Sequence, residues 1–504
     1  MEESAKLGVL KSLRFGQQVA EDEGADLVTY FVETGDWQRL FAGEVDVIYG
    51  QKGAGKSALY SLLLKREAEL RGRNISVVAA ENVRGATAFQ ELTSDPPPTE
   101  YEFAGLWKTY ILCLVGDLLH KEGFDDEDAR VVVKALKDND LMMGDRSLAA
   151  LVRAAAEYVK RLLRVRSVEG GVSWDPLSSM PTGFTGKIVM GEPTTEEAAR
   201  GVVGVGTLFA AASRSLAKNG RAVWILIDRL DVAFAESPQL EENALRALFK
   251  TYLDLLGNTD IRLKIFLRSD IWRRITATGF REASHITRQL TIEWDRPSIL
   301  DLIVRRALRN QPLVDFYSVT QGSVLASVAD RLALFNRICH ERADPGTNKP
   351  KTLDWIISRT RDGSQVTAPR EVVHLLNETV AVQVRKLDLG EDEPEGELLF
   401  SRAAFKEALP KVSKVRLEQT LYAEYPSLKP SIEALREEKS LQSPATLAQI
   451  WTMDETEAMK TATVLAEIGF FERRGSKHEP QFWIPFLYRG HLGIVQGTAD
   501  EGEL

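Results

Sequence analysis

Cysteine is scarce in this chain of 504 residues, with only Cys113 and Cys339, and histidine occurs six times. Each cysteine falls in a separate helical-reading segment, with no second thiol or imidazole at redox or metal spacing. This excludes a disulfide scaffold and a zinc ribbon and points to a reducing, cytoplasmic setting. The histidines show neither an HxH nor an HExxH spacing, so a histidine-based metal hydrolase is excluded as well. Long apolar runs are missing. The longest weakly charged one, Gly201 to Ser213, is far shorter than the ~20 residues of a membrane span, and MEESAKLGVL lacks the apolar core of a secretion signal. Positive charge is not in excess either. With 64 Lys+Arg against 73 Asp+Glu, the net charge is −9, so any contact with nucleic acid must be local and no membrane partner is expected.

What is present is an ordinary globular composition, 44% hydrophobic and 27% charged, over a length of about three domains at ~150 residues each. Residues 1–43 read as N-terminal helices and linker, with a helical period around Leu27, Tyr30 and Phe31. A β-rich EVDVIYG follows, then a loop, the helix LYSLLLKREAELRGR and a second strand at Ile75 to Ala79, the opening of a parallel α/β sheet. From about 82 to 193 the period is helical, with helices predicted over 103–119, 126–137 and 147–165. AVWILID and LKIFLRSD then have the continuous apolarity of strands buried on both faces, and QLTIEW adds another. Residues 296–386 read as helices. LDLGEDEPEGE (387–397), with six acids and no bases, reads as a solvated linker ahead of a separate tail, 398–504.

One motif carries chemistry directly. Gly50-Gln51-Lys52-Gly53-Ala54-Gly55-Lys56-Ser57 matches G-x-x-x-x-G-K-[ST], between a strand and a helix. Its glycines allow a backbone wrap that aims successive N–H groups at phosphate oxygens, and the helix N-terminus adds its dipole. The predicted nucleotide cradle is Gly50 through Ala58, with Lys56 on the β and γ phosphates and Ser57 on Mg²⁺. Val223 to Ile227 ends on Asp228, placed for the same Mg²⁺, and Asp231 follows three residues later. ATP and Mg²⁺ are the expected cofactors.

IDRLD resembles the I-D-x-L-D signature of STAND (NACHT-type) and KAP-type P-loop NTPases, a branch of the AAA+-like class. The resemblance implies a three-layer α/β fold with a parallel sheet of the additional-strand type, one strand lying between the phosphate-loop strand and the acidic strand. It assigns Asp228 to Mg²⁺ and Asp231 to the attacking water. Arg229 and Val232 stand where AAA+ and NACHT proteins respectively carry a glutamate, which implies slow hydrolysis. LRSD resembles a STAND sensor-1 arginine at Arg268, though Asp270 also offers Arg268 a plain salt bridge. Ala368-Pro369-Arg370-Glu371 is similar to the sensor-2 start of an AAA+ lid helix, the alternative being an ordinary first-turn arginine. Arg281 and Arg288 lie where AAA+ rings carry a finger for the neighbouring subunit, or they are merely solvated.

In the tail, 443–451 and 454–468 read as two helices, and FFERRGSKHEPQFWIPFLYR as two β-rich pieces around a turn, an order similar to a winged helix. Its second helix carries Asp454, Glu455, Glu457 and Glu467 against Lys460 alone, so DNA reading through it should be weak. Arg473, Arg474, Lys477 and His478 make the wing basic. IYGQKGAGKSALY and KIFLRSDIW resemble segments of ATPases from bacterial anti-phage loci. The expectation is therefore an oligomerising ATPase switch in a defence system, working with a protein effector encoded nearby. The alternative is a nucleic-acid-binding loader or regulator.

Overall fold

A computed structural model of the protein describes residues 4–17, 31, 33–82, 87–89, 98–169, 188–199, 201–230, 237–277 and 279–499, with backbone only for 163–169 and 238. Asp231, Val232, Leu27, Tyr30 and the stretch from Gly170 to Gly183 lie outside the described residues. The chain forms two compact units. One comprises 35–50 and 56–291; the other comprises the N-terminal residues to Thr34, the loop 51–55, and 292 onward.

The first unit is built on β1 (Val47–Gly50), β2 (Ile75–Ala79), β3 (Ala222–Ile227), β4 (Ile261–Arg268) and β5 (Gln289–Thr291). All pair in parallel, in the order β2-β3-β4-β1-β5. β4 thus lies between the phosphate-loop strand and the acidic strand, the additional-strand arrangement. The apolar runs VIY, VWILI and LKIFL are buried because helices cover both faces of such a sheet. Register places Gly50 opposite Arg268 and Ile227 opposite Ile265, so the three loops after β1, β3 and β4 leave from one edge.

Helix α1 (Lys56–Lys65) follows the phosphate loop. The insertion supplies α2 (Glu100–Lys121), α3 (Glu127–Asp138) and α4 (Leu148–Glu169), each within a few residues of the helical periods in the sequence. Thr99 and Glu102 close a capping box on α2, and Asp126 caps α3. α5 (Val205–Lys218), α6 (Pro238–Leu255) and α7 (Ser269–Ala277) complete the helical layers.

At the amino end of the sheet a buried charge cluster fixes β1, β4 and β5 together. Asp46, fully buried, accepts Lys264 Nζ at 2.8 Å and Arg288 Nε at 2.6 Å, while Arg288 also donates to the Gly43 carbonyl. The finger reading of Arg288 is therefore corrected. Its guanidinium is committed inside the unit, and a surface-helix reading missed this because Asp46 lies 242 residues away.

In the second unit, α8 (Arg296–Leu308), α9 (Thr352–Thr360) and α10 (Pro369–Asp388) form the helical lid. The tail contributes α11 (Arg402–Arg416), β6 (Lys439–Gln442), α12 (Pro444–Trp451), α13 (Glu455–Glu467), β7 (Glu472–Gly475), β8 (Pro480–Trp483), α14 (Phe486–Leu492) and β9 (Val495–Thr498). Ser443 and Asp454 cap α12 and α13, and the sheet runs β9-β6-β8-β7, a winged helix whose wing is β7–β8. β6 and β9 escape sequence reading because KSLQ and VQGT are short and polar.

The tail does not have a core separate from the lid's. Lid and tail share one apolar core that also takes in Val9, Leu10, Leu13 and Phe15 from the N-terminus. The acids of 387–397 are exposed, as the linker reading expects, but the stretch is tied down at several points. Lys6 donates to the Pro394 carbonyl at 2.5 Å, Arg337 pairs with Glu397 at 2.7 Å, and Leu399 and Phe400 are buried. Six acids spread over 387–397 read as an untethered linker only while basic partners such as Lys6 and Arg337, distant in sequence, are out of view. A lid glycine shows how tightly the wing is held: a Cβ on Gly363 would fall 2.1 Å from the Phe471 carbonyl oxygen.

Between α10 and α11 lies a buried triad. Arg416 Nη1 donates to Glu371 Oε1 at 2.9 Å, and Nη2 lies 3.7 Å from Asp362 Oδ2. Burial raises the Asp362 carboxyl to about 6, Arg416 opposing and Glu371 reinforcing the shift. Between its ordinary value of 3.8 and about 6, the folded protein holds more protons than the unfolded chain, so this group lowers stability as pH rises through that window. Asp362→Asn should flatten that decline in urea unfolding followed across the window; an unchanged pH slope in the variant would contradict the assignment.

Candidate nucleotide site

The sheet unit brings five predicted residues to the carboxyl edge of its strands. Gly50 ends β1, and Lys56 and Ser57 open α1, whose first-turn N–H groups are free of intrahelical acceptors. Lys56 Nζ donates back to the Gly50 carbonyl at 2.8 Å, so its ammonium is held at the mouth of the loop. Asp228, buried, follows β3. Arg268, at the tip of β4, grips Asp270 with two hydrogen bonds of 3.1 and 2.7 Å. Burial alone would raise the Asp270 carboxyl, but Arg268 outweighs it and holds it below the usual range. Of the two readings of Arg268, the salt bridge is the one formed here.

Around Asp228 the structure adds residues that sequence reading missed. Tyr60 Oη donates to the Glu81 carbonyl at 2.7 Å, and its phenol is pushed up by burial, then by the charges of Asp228 and Glu81. The Glu81 carboxylate accepts from Thr87 Oγ1 at 2.6 Å and from the Ala88 and Asn82 N–H groups at 2.9 and 2.6 Å; burial raises it while these bonds oppose. Arg229 adopts φ of 59°, a left-handed conformation unusual for a side-chain-bearing residue, and Nη1 donates to the Asn82 carbonyl at 3.2 Å. Glu81 carried the same signal as Asp228, an acid just past an apolar strand; Tyr60 had none.

The loop residues 51–55 belong to the second unit and take the contacts below from within it. Gly53 and Gly55 have φ of 82° and 104°, the left-handed region that the wrap requires. A Cβ on Gly53 would lie 3.3 Å from the Arg370 Cβ and 3.4 Å from the Ala368 Cβ, so the first turn of α10 sits against the loop. Trp294 Nε1 donates to the Ala54 carbonyl at 2.8 Å, and Lys52 forms an ion pair with Glu424 of the tail. The Arg370 Cβ is thus beside the loop.

Among the described residues no group of three or more His, Cys, Asp or Glu could hold a metal ion. A P-loop Mg²⁺ does not need one: it takes one hydroxyl and one carboxylate and fills its octahedron with phosphate oxygens and water. Ser57 and Asp228 supply that hard-oxygen pair, so the donor set fits.

Together, the strand order, the glycine-wrapped loop opening a helix, and the buried acid beside it define an additional-strand P-loop α/β fold with a helical lid and a winged helix. No family model and no curated protein matches the chain. Among solved structures it is similar to the Aeropyrum pernix ORC1 protein in complex with DNA, at 12% identity over 95% of this chain and 96% of that one, with a TM-score of 0.34. It is also similar to the Aeropyrum pernix ORC2 protein in ADPNP–ADP complexes, at 11% identity over 95% and 94%, with a TM-score of 0.36. No described helix is long and apolar enough to cross a membrane.

Three variants separate the roles. Lys56→Ala should abolish Mg·ATP binding, since the motif's other cation, Lys52, is engaged by Glu424. Asp228→Asn should weaken Mg²⁺-dependent binding at least about ten-fold. Asp231→Asn should bind normally and turn over about 100-fold more slowly, as for loss of a general base. Calorimetry and phosphate release read the three; equal, small effects at 228 and 231 would make both acids structural.

Proposed function

We propose that this protein binds Mg·ATP at the loop 50–58, hydrolyses it slowly, and passes the nucleotide state to its lid and tail as an oligomerising switch. The observation that supports this most is the Lys52–Glu424 ion pair. It ties a phosphate-loop side chain to the tail segment that follows the π-helical turn Leu417–Leu421.

The chain's own residues then act as follows. N–H groups of 51–57 receive phosphate oxygens, and Lys56 exchanges the Gly50 carbonyl for the β and γ phosphates. Ser57 and Asp228 would hold Mg²⁺, whose charge would offset that of the phosphates. Asp231 orients and deprotonates water. Arg229, turned to Asn82, puts no second carboxylate beside Asp228, which agrees with slow turnover. Arg370, beside the phosphate loop, is the lid's candidate for a nucleotide contact, and Arg268 would need to release Asp270 to make one.

Arg281, exposed at the start of the turn Arg281–His285, is the arginine suited to act on a neighbouring subunit. The setting we infer from the IYGQKGAGKSALY and KIFLRSDIW segments is bacterial anti-phage defence with a separate protein effector, which loss of phage protection in a Lys56→Ala strain would test.

Phosphate and Glu424 compete for Lys52. Glu424→Gln should therefore tighten ATP about five-fold in titration calorimetry and raise tail exchange rates in hydrogen exchange. Unchanged affinity and exchange would sever the tail from the site. For assembly, the ATPase rate per subunit should rise with protein concentration and stay flat in Arg281→Ala, whereas Arg288→Ala should instead lower the urea midpoint. A flat rate in wild type, with a protein that stays monomeric in ATP, would remove the trans arginine.

A further inference from the structure

Three arginines converge where the wing meets the lid, and they have too few acids between them. Arg489 of α14 stacks on Trp483 and Phe486, its guanidinium 4.6 and 4.3 Å from the ring centroids. Arg474 of β7 lies 3.9 Å over the same Trp483, and Arg359, in the last turn of α9, lies 4.1 Å over the same Phe486. Two adjacent aromatic rings thus carry three guanidinium groups from three elements.

The charge is not balanced locally. Among the described residues neither Arg359 nor Arg489 forms an ion pair. Arg474 has Glu472 at 2.7 Å, and Asp344, the acid that Arg359 senses, is held by Lys406 at 2.7 Å. Arg489 is only 8% exposed. Its Nε donates to the Ile484 carbonyl at 2.8 Å and its Nη1 to Gln496, but its Nη2 is buried with no hydrogen-bond partner. Burial, with the charges of Arg359 and Arg474, pulls this guanidinium down to about 10. Converging like charges and an unpaired buried donor both cost stability, and a bound anion relieves both.

We propose that Arg359, Arg474 and Arg489 form a binding site for a phosphoryl group, and that the group is a backbone phosphate of a nucleic acid. Guanidinium forks match phosphate oxygens, whereas the ring faces beneath them are already covered and offer no platform for bases, so the recognition is independent of sequence. Location favours a nucleic-acid phosphate over a free one, because the site lies at the base of the wing, whose exposed side also carries Arg473 and Lys477. The neighbouring α13 repels phosphate through Glu455, Glu457 and Glu467, which moves the contact from the helix to the seam between lid and wing. Arg359 makes this a site of the whole unit rather than of the tail alone.

The experiment uses the full chain without nucleotide, so that its outcome is separate from that of the ATP site; Lys56→Ala should bind as wild type does. A short labelled duplex is titrated by fluorescence anisotropy over a range of salt, and inorganic phosphate and pyrophosphate are titrated by calorimetry. Arg359→Gln and Arg474→Gln should each weaken duplex binding roughly ten-fold and reduce the log–log salt slope by about one, while Lys460→Gln on α13 changes neither. Arg359→Lys should recover part of the slope but not the full affinity, because the fork is lost. Arginine-dependent binding of phosphate or pyrophosphate, with no duplex binding, would keep the phosphoryl site and overturn its nucleic-acid source. Wild-type protein that binds none of the three probes, or folded Arg474→Gln that binds them all unchanged, would overturn the site. Arg474, on the exposed wing, carries the test if Arg359→Gln fails to fold.

Discussion

Arg416 is the residue on which the lid–tail unit turns. A buried guanidinium needs full countercharge, and it finds Glu371 on the lid and Asp362 in the loop before it. Burial would lower its affinity for its proton, and the two carboxylates with Tyr488 more than reverse that, so the group stays charged. Glu371 follows Arg370, whose Cβ lies against Gly53, and the chain beyond Arg416 runs through the π-helical turn to Glu424, partner of Lys52. The phosphate loop is therefore gripped twice by one unit, directly at Gly53 and by a longer path at Lys52. Small shifts in the loop have a short, polar route into the winged helix.

The same construction explains why the tail is not an appendage. A charged linker between two independent cores would make nucleotide-driven docking the switching event. Here the core is continuous from the lid helices to Leu487 and Leu492, and the acids of 391–397 serve as anchors for Lys6, Arg337 and Lys386. A switch in such a molecule works by changing ion-pair partners within a packed body. Removing the tail would strip apolar cover from the lid instead of releasing a brake.

How much of this could be read beforehand follows from the range over which each signal acts. The phosphate loop, the acidic strand and the arginine of β4 are local, each written in fewer than ten consecutive residues, and the sheet order agrees with the additional-strand fold that they implied. Caps such as Ser443 and Asp454 are equally local, and the helices they start were placed within one or two residues. The misreadings are all long-range. Arg288 looked like a finger for a neighbouring subunit without Asp46, 387–397 looked like an untethered linker without Lys6 and Arg337, and Glu424 gave no signal because its partner stands 372 residues earlier. Tyr60 and Glu81 sit between these cases, since local pattern marks them as buried while only the fold sets them beside Asp228.

The helix Ala5–Ser12 packs on Pro369–Asp388 and supplies Val9 and Leu10 to a core otherwise made after residue 292. During synthesis, which adds about 5–20 residues each second, those first side chains must wait some tens of seconds on the ribosome for their partners. The sheet unit, whose strands are complete by Thr291, is made in that interval. Biogenesis of this chain thus has a built-in order, in which the core shared by Val9, Leu10 and the lid closes only after the sheet unit has been made.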